Sequence, residues 1–425
     1  MTSYEVALEY LKMTSQRGSK LGLERISKLM GLLENPQNNT KIIHIAGTNG
    51  KGSFGAILTQ ILEISGYHTG GFSSPAITEV TNSFRIGGNE VSREEFADLM
   101  SRIAPVCESL IDKPTEFEVL TVAAYMLFDE NKCDVALVEC GMGGDLDSTN
   151  VISKPLLSVI TNVRKDHCAF LGDTTAEIAS HKAGIIKNGC PVLFGGSDPD
   201  AENVIVRAAE KSGSELICTD FSRISDVSCS LEGTDFTFSG FGRLHINLAG
   251  TYQVYNAANV LTAVEILRDA GFAISDEAVR CGLERARWHG RFEILRRNPT
   301  VIFDGSHNPD GISATAETIR LCLNGKAALL IGVMADKEYS LYADMLGDLT
   351  DHAFTVTPDN PRALDSRILA ETFTEKNIPA DFFDSLEEGV RTAYNYAKNH
   401  NVPLIALGSL YMYREFIDAV GKIQE

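Results

Sequence analysis

KIIHIAGTNGKGSFGAILTQILEISG, residues 41–66, holds a phosphate-binding loop with an irregular spacing. The strict nucleotide-binding pattern puts four residues between its first Gly and the Gly-Lys pair, with Ser or Thr directly after the Lys. Here only Thr48 and Asn49 separate Gly47 from Gly50, and Gly52 stands between Lys51 and Ser53. Residues 41–46 are rich in β-branched side chains, as a buried strand is. After Ser53, the apolar residues Phe54, Ile57, Leu58, Ile61 and Leu62 fall at helical spacing, and Gly66 supplies a stop. The glycines therefore lie between a strand and a helix, where backbone N–H groups and a helix N-terminus hold an anion. Lys51 adds a charge for the β- and γ-phosphates, and Ser53 a hydroxyl for Mg²⁺. A plain strand–helix turn would need neither three glycines nor the lysine.

At 425 residues the chain is too long for one ordinary core, so more than one domain is expected. It is 44% hydrophobic and 22% charged, the composition of a soluble globular protein. Its apolar runs, such as 327–335, are too short to span a bilayer. The start, MTSYEVALEYLKM, reads as an amphipathic helix rather than a leader. Nine cysteines without a Cys-x-x-Cys pair argue for reduced cytoplasmic thiols and against a zinc site. A net charge of −19 argues against nucleic acid as a partner. A monomer acting on small molecules, with no membrane attachment, is expected.

Strand and helix patterns alternate along the chain, which implies α/β architecture. Residues 133–141, 156–163 and 190–196 read as further strands, and 227–246 as a small antiparallel patch. A long helix follows over 256–271. After the Arg-rich segment RARWHGRFEILRRNPT, four strand–helix units fill the remaining residues, enough for a separate doubly wound domain. The boundary is expected near Gly290, giving domains 1–290 and 291–425.

Several polar residues sit where predicted strands end, the usual ligand edge of an open α/β sheet. Glu139 and His167 each follow a hydrophobic strand and are plausible metal ligands. Alone, each is more often structural; beside a phosphate loop, a Mg²⁺–nucleotide site is the better reading. FDGSHNPDG, residues 303–311, crowds Asp304, His307 and Asn308 into one turn. A capped turn explains Asn308 and Pro309 but not the other two.

These residues carry a resemblance. HIAGTNGKGS, SSP, PTEFEVLT, ECGMGGDLDSTN, DHCAFLGDT, HKAGIIK, NAAN, WHGRFE, DGSHNPDG and DKE follow one another in the order of the folylpolyglutamate synthase and dihydrofolate synthase family, within the Mur ligase superfamily. The inserted Gly52 belongs to that family's phosphate loop. The resemblance implies a P-loop central domain of Mur-ligase type and a C-terminal Rossmann-like domain. It gives Asn49, Gly50, Lys51, Gly52 and Ser53 to the ATP phosphates, and Ser74, Glu139 and His167 to Mg²⁺. Asn256, Arg291, Asp304 and His307 would complete the ATP site. Lys182 matches the lysine that the superfamily carbamylates. Read by periodicity alone, Lys182 is an ordinary surface lysine. Thr115, Phe117 and Ser148 match positions lining a pterin pocket, although Phe117 alone would read as core.

The sequence departs from the family pattern at a few places. Ala76 stands where His is frequent, Asp145 where Arg is frequent, and His181 where Glu is frequent. Tyr252 replaces a common His, and Arg85 is the counterpart in a loosely matched run. Most of these lie toward the folate end. The implied reaction is ATP-dependent amide formation: a folate or pteroate carboxylate takes the γ-phosphoryl group, and L-glutamate then displaces phosphate. Closure of the second domain over the first would exclude water from the acyl phosphate. A Mur-type ligase acting on another carboxylate shares this chemistry. It would normally carry a UDP-binding domain ahead of the loop, and 46 residues precede Gly47. A non-catalytic ATP-binding regulator on a degenerate scaffold is the other alternative, opposed by the retention of Glu139, His167, Lys182, Asp304 and His307.

Overall fold

The computed structural model describes residues 2–18, 20–323 and 325–423. The chain forms two compact units: Met1–Ser222 with Tyr255–Arg285, and Arg223–Val254 with Ala286–Glu425.

The first unit is built on an eight-stranded sheet. In spatial order the strands are Asn89–Glu90, Phe84–Ile86, Thr69–Phe72, Val135–Glu139, Lys41–Ala46, Leu157–Ile160, Val192–Phe194 and Leu216–Cys218. From Thr69–Phe72 onward they run parallel, and the two edge strands before it are antiparallel. Lys41–Ala46 is buried at every position after Lys41, as a central parallel strand must be. The chain lays Thr69–Phe72 and then Val135–Glu139 on one side of it, the latter adjacent, and Leu157–Ile160 on the other, so the strand order reverses here. In open α/β sheets the ligand crevice lies at the carboxyl ends beside that reversal.

The helix Lys51–Ile64 follows, and Phe54, Ile57, Leu58, Ile61 and Leu62 are all fully buried, as their spacing predicts. Four strands were not legible in the sequence: Thr69–Phe72, Phe84–Ile86, Asn89–Glu90 and Leu216–Cys218. They are two to four residues long, too short to show a period. Thr69–Phe72 also carries two glycines. A Cβ on Gly70 would lie 2.4 Å from Phe128 Cδ1, so close packing excludes a side chain there.

The second unit contains a six-stranded sheet in the order Glu293–Arg297, Thr300–Asp304, Leu404–Leu407, Ala327–Ile331, Thr350–Val356 and Ala380–Phe383. The first pair is antiparallel and the rest are parallel. The four inner strands are those expected. The two edge strands read too polar or too exposed to stand out. The antiparallel patch is a three-stranded sheet of Ile224–Ser230, Gly233–Phe238 and Gly242–Ile246. It clusters with the second unit, although a boundary near residue 290 groups it with the first. Among the described residues no helix is long and apolar enough to cross a membrane.

Candidate active site

The phosphate loop is tied to the loop that leaves the next strand, Leu157–Ile160. Asn49 N donates to Asn162 Oδ1 at 2.9 Å, and Asn49 O accepts from Thr161 Oγ1 at 2.7 Å. Thr48 Oγ1 donates to Arg164 O and accepts from Arg164 N, both at 3.0 Å. A hydroxyl used in both senses locks two backbones together. Gly47 approaches so closely that a Cβ would sit 1.9 Å from Thr161 Oγ1. Gly50 caps the helix at φ +85°, and a Cβ there would lie 2.4 Å from Asn256 Oδ1. The structure thus brings Asn256, on the helix Thr251–Asp269, against the loop.

Lys51 Nζ donates to Gly47 O at 3.0 Å and to Thr48 O at 3.3 Å, and lies 3.7 Å from Glu139 Oε1. Glu139 ends its strand and is buried, and so is Ser53. A buried carboxylate beside the loop's ammonium suits a hard cation as a further partner. Lys182 belongs to the helix Thr175–Ala183 and is 4% exposed, so it is not the surface lysine that periodicity suggests. Burial, and then the charge of Lys51, push its pKa down to about 7. A large share of this amine is therefore unprotonated at neutral pH.

His167 caps the short helix Cys168–Leu171 in a left-handed conformation, with its N–H on Asp166 Oδ1 at 2.8 Å. Its imidazole is 40% exposed, with Nε2 4.0 Å from Asp166 Oδ2. Ser74 is half-buried in the loop after Thr69–Phe72. Among the described residues no three His, Cys, Asp or Glu side chains gather into a metal site. The expected set, with one hydroxyl, one carboxylate and one imidazole, is of a different kind.

A buried polar chain beneath the loop was not foreseen. His44, in the central strand, has Nε2 2.8 Å from Thr149 Oγ1 and 3.2 Å from Cys140 Sγ. Thr149 Oγ1 donates to Asp147 Oδ1 at 2.5 Å. The threonine proton is thereby spent, so the proton between the other two sits on His44 Nε2. His44 Nδ1 has no hydrogen-bond partner, and burial pushes the imidazole pKa down to about 3. Asp147 also accepts from Met142 N and Thr149 N, which fixes the loop after Glu139, while burial raises its pKa. A histidine in the middle of an apolar strand is the one signal in the sequence that points here.

Of the expected pterin residues, Thr115 uses its hydroxyl to cap the helix Glu116–Glu130, in a reciprocal box with Glu118. The pattern Thr-x-x-Glu announces this role in the sequence. Phe117 is half-buried, 5.9 Å from Phe72 between ring centres, and a Cβ on Gly141 would lie 2.7 Å from its Cζ. Ser148 is buried at the start of a short turn capped by Asp147. Two of the departures meet: His181 Nδ1 lies 3.0 Å from both carboxylate oxygens of Asp145.

In the second unit, Asp304 is buried and fully engaged. It accepts from Phe292 N at 2.8 Å, Ser306 N at 2.9 Å and Thr315 Oγ1 at 2.9 Å. It braces the turn that carries His307, whose Nδ1 lies 2.9 Å from Gly305 O. Asn308 caps the helix Pro309–Cys322. Arg291 lies near enough to Tyr252 to lower its proton affinity, against a larger upward effect of burial and of Asp304.

The Mur ligase middle domain family matches residues 45–264, and the Mur ligase, glutamate ligase domain family matches 290–409. The dihydrofolate synthase/folylpolyglutamate synthase of Bacillus subtilis is 34% identical over 99% of each chain. The chain belongs to the folylpolyglutamate synthase and dihydrofolate synthase family of Mur ligases. The folylpolyglutamate synthase of Lacticaseibacillus casei is 33% identical over 91% of this chain and 92% of its own. A crystal structure of Mycobacterium tuberculosis folylpolyglutamate synthase, complexed with ADP and AMPPCP, superposes with a TM-score of 0.91 at 28% identity over the whole of both chains. These matches place the ligase in its family along its whole length, beyond the nucleotide loop alone.

Proposed function

We propose that this ligase joins L-glutamate to a folate with ATP as the energy source, releasing ADP and phosphate. The observation that carries the reading is Lys51, poised between its own loop carbonyls and Glu139 at the carboxyl end of the central strands. The amide N–H groups at the start of Lys51–Ile64 and the Lys51 ammonium hold the phosphate oxygens. Ser53, Ser74, Glu139 and His167 would hold Mg²⁺, which supplies charge neutralisation on the phosphoryl group as it transfers. A folate carboxylate oxygen forms the new bond to the γ-phosphorus, and ADP leaves. The amine of glutamate then attacks the carbonyl carbon of the acyl phosphate, and phosphate leaves. We assign Asn256, Arg291, Asp304 and His307 to the nucleotide and Thr115, Phe117 and Ser148 to the pterin, as the resemblance implies.

Lys182 is the candidate for a carbamate. Its neutral amine adds to CO₂, forming an N–C bond and releasing one proton. The product exchanges a buried cation near Lys51 for an anion that Lys51 attracts, so the like-charge repulsion becomes a pairing. Dihydropteroate is a second proposed carboxylate substrate, in addition to tetrahydrofolate. The test is ADP release with each substrate, with and without L-glutamate. Release that needs both partners supports the ligase. Release with dihydropteroate alone among the two folates would reassign the substrate, and release independent of either would sink the proposal.

A further inference from the structure

The nine cysteines are free thiols, and two of them face each other in the second unit. Cys229 lies in the strand Ile224–Ser230, and Cys322 ends the helix Pro309–Cys322. Their Sγ atoms are 3.0 Å apart although 93 positions separate them in sequence. Both are partly exposed. Cys229 Sγ also receives Gly250 N at 3.2 Å and Thr234 Oγ1 at 3.6 Å. With the Cys322 thiol, three donors converge on one sulfur. A thiol is a weak acceptor, and a thiolate is the form that such a cradle favours. The hydrogen bond from Cys322 is the main influence holding Cys229 below the usual thiol range, against burial and the charge of Glu317. Cys322 is pushed up, first by its bond to Cys229, with burial and Glu232 adding to the effect. The pair is thus asymmetric, with one sulfur prepared to attack and the other keeping its proton.

We propose that Cys229 and Cys322 form a reversible thiol–disulfide site whose oxidant is a hydroperoxide. The Cys229 thiolate attacks one peroxide oxygen, the O–O bond breaks, and sulfur gives up two electrons. With hydrogen peroxide the departing hydroxide takes a proton and becomes water, leaving Cys229 as a sulfenic acid. Cys322 then attacks that sulfur. The S–S bond forms, and the sulfenic hydroxyl leaves with the Cys322 proton as a second water. In sum, two thiols and one peroxide give one disulfide and two waters. A dithiol reductant reverses the step by exchange. The bond would join the antiparallel patch to the helix that Asn308 caps, and would take from Gly250 N–H its thiolate acceptor.

The experiment uses the full reduced chain at neutral pH, treated with one equivalent of hydrogen peroxide, alkylated, digested and mapped by mass spectrometry. The expected result is a Cys229–Cys322 cross-linked peptide, seven alkylated cysteines in place of nine, and nine again after dithiothreitol. In Cys322→Ser, dimedone should label Cys229 with no disulfide formed. In Cys229→Ser, Cys322 loses the raising effect of Cys229 but keeps those of burial and Glu232, and should react at least about threefold more slowly than Cys229 does in Cys322→Ser. Nine alkylated cysteines in the treated wild-type chain, or labelling of Cys168 or Cys218 ahead of Cys229 in Cys322→Ser, would overturn the proposal. The wild-type map decides the matter even if a variant fails to fold.

Discussion

The loop 47–53 and the segment 73–86 both leave the carboxyl ends of parallel strands in one sheet, yet they are held by different means. The first is bound to residues more than a hundred positions away, through Thr48, Asn49, Thr161 and Asn162. The second is held largely by its own neighbours. Ser73 N donates to Ser83 O, and Thr78 N, Thr78 Oγ1 and Glu79 N all donate to Asn82 Oδ1. Asn82 Nδ2 donates to Glu90, Arg85 pairs with Glu90 at 3.1 Å, and Arg93 pairs with Glu79. A loop fixed by the sheet cannot be re-shaped without moving a strand. A loop fixed by itself changes with a few substitutions. The departure at Ala76 and the loosely matched run around Arg85 fall in the second kind, and the residues that the resemblance gives to the ATP phosphates fall in the first.

The largest expected effect tests the first region. Lys51→Ala should lower the rate of ADP release by about 10²–10³-fold, the usual cost of removing one charge-stabilising donor. Thermal unfolding should shift by no more than about 3 °C, because the hydrogen bonds of Lys51 stay within its own loop and the loss of its 3.7 Å pairing with Glu139 is offset by relief of its repulsion of Lys182. Near-normal turnover would remove Lys51 from the chemistry.

Lys182→Ala should cost about 10²-fold, with partial recovery in small carboxylates. The pH dependence has a definite sign. A lysine whose pKa is lowered to about 7 is mostly neutral above that pH and mostly charged below it. At fixed CO₂ pressure, the ¹³C carbamate resonance and the activity should therefore both rise from pH 6 to pH 8. A chain that is fully active and shows no carbamate signal at pH 8 would refute the modification.

A pair of asparagines sharpens the comparison directly. Asn162→Ala removes the acceptor for Asn49 N and should raise the KM for ATP about tenfold, the worth of one hydrogen bond to a loop that must be in place. Asn82→Ala dissolves the self-contained turn and should raise the KM for the folate about three- to tenfold, leaving that for ATP unchanged. If both variants act on the same substrate, the two regions are not independent.

What was legible in the sequence follows the same division. Phosphate loop, following helix and inner strands are local patterns, read from a dozen adjacent residues. The Thr115–Glu118 box is equally local, and it shows that Thr115 has a structural task besides any contact with pterin. The chain from His44 through Thr149 to Asp147 joins residues 105 positions apart, so spacing could not reveal it. The same holds for Asn162, which is a plain asparagine after a strand until Asn49 is placed beside it. The strand Thr69–Phe72 was hidden in part because its Gly70 is required by Phe128, a distant neighbour.

The smallest expected effect concerns two departures that look unrelated in sequence. Against the resembled pattern, Asp145 stands where Arg is expected and His181 where Glu is expected. Here the acid is Asp145 and the base is His181, and the two side chains meet. Both side chains are about one-third exposed, and the pair is worth little beyond about 0.5–1 kcal/mol. The backbone beneath is more demanding: a Cβ on Gly184 would lie 2.3 Å from that of Asp145, and one on Gly144 2.8 Å from His181 O. The two backbone segments thus lie in close contact. Asp145→Arg and His181→Glu should therefore each lower stability by about 1 kcal/mol, the first facing an imidazole and the second a carboxylate. The double variant restores an opposite-charge pair and should recover most of the loss. Denaturant unfolding of the four proteins gives the coupling energy. Additive losses would mean that the contact is incidental. Recovery in the double variant would show that the two positions are energetically coupled, which neither departure read alone reveals.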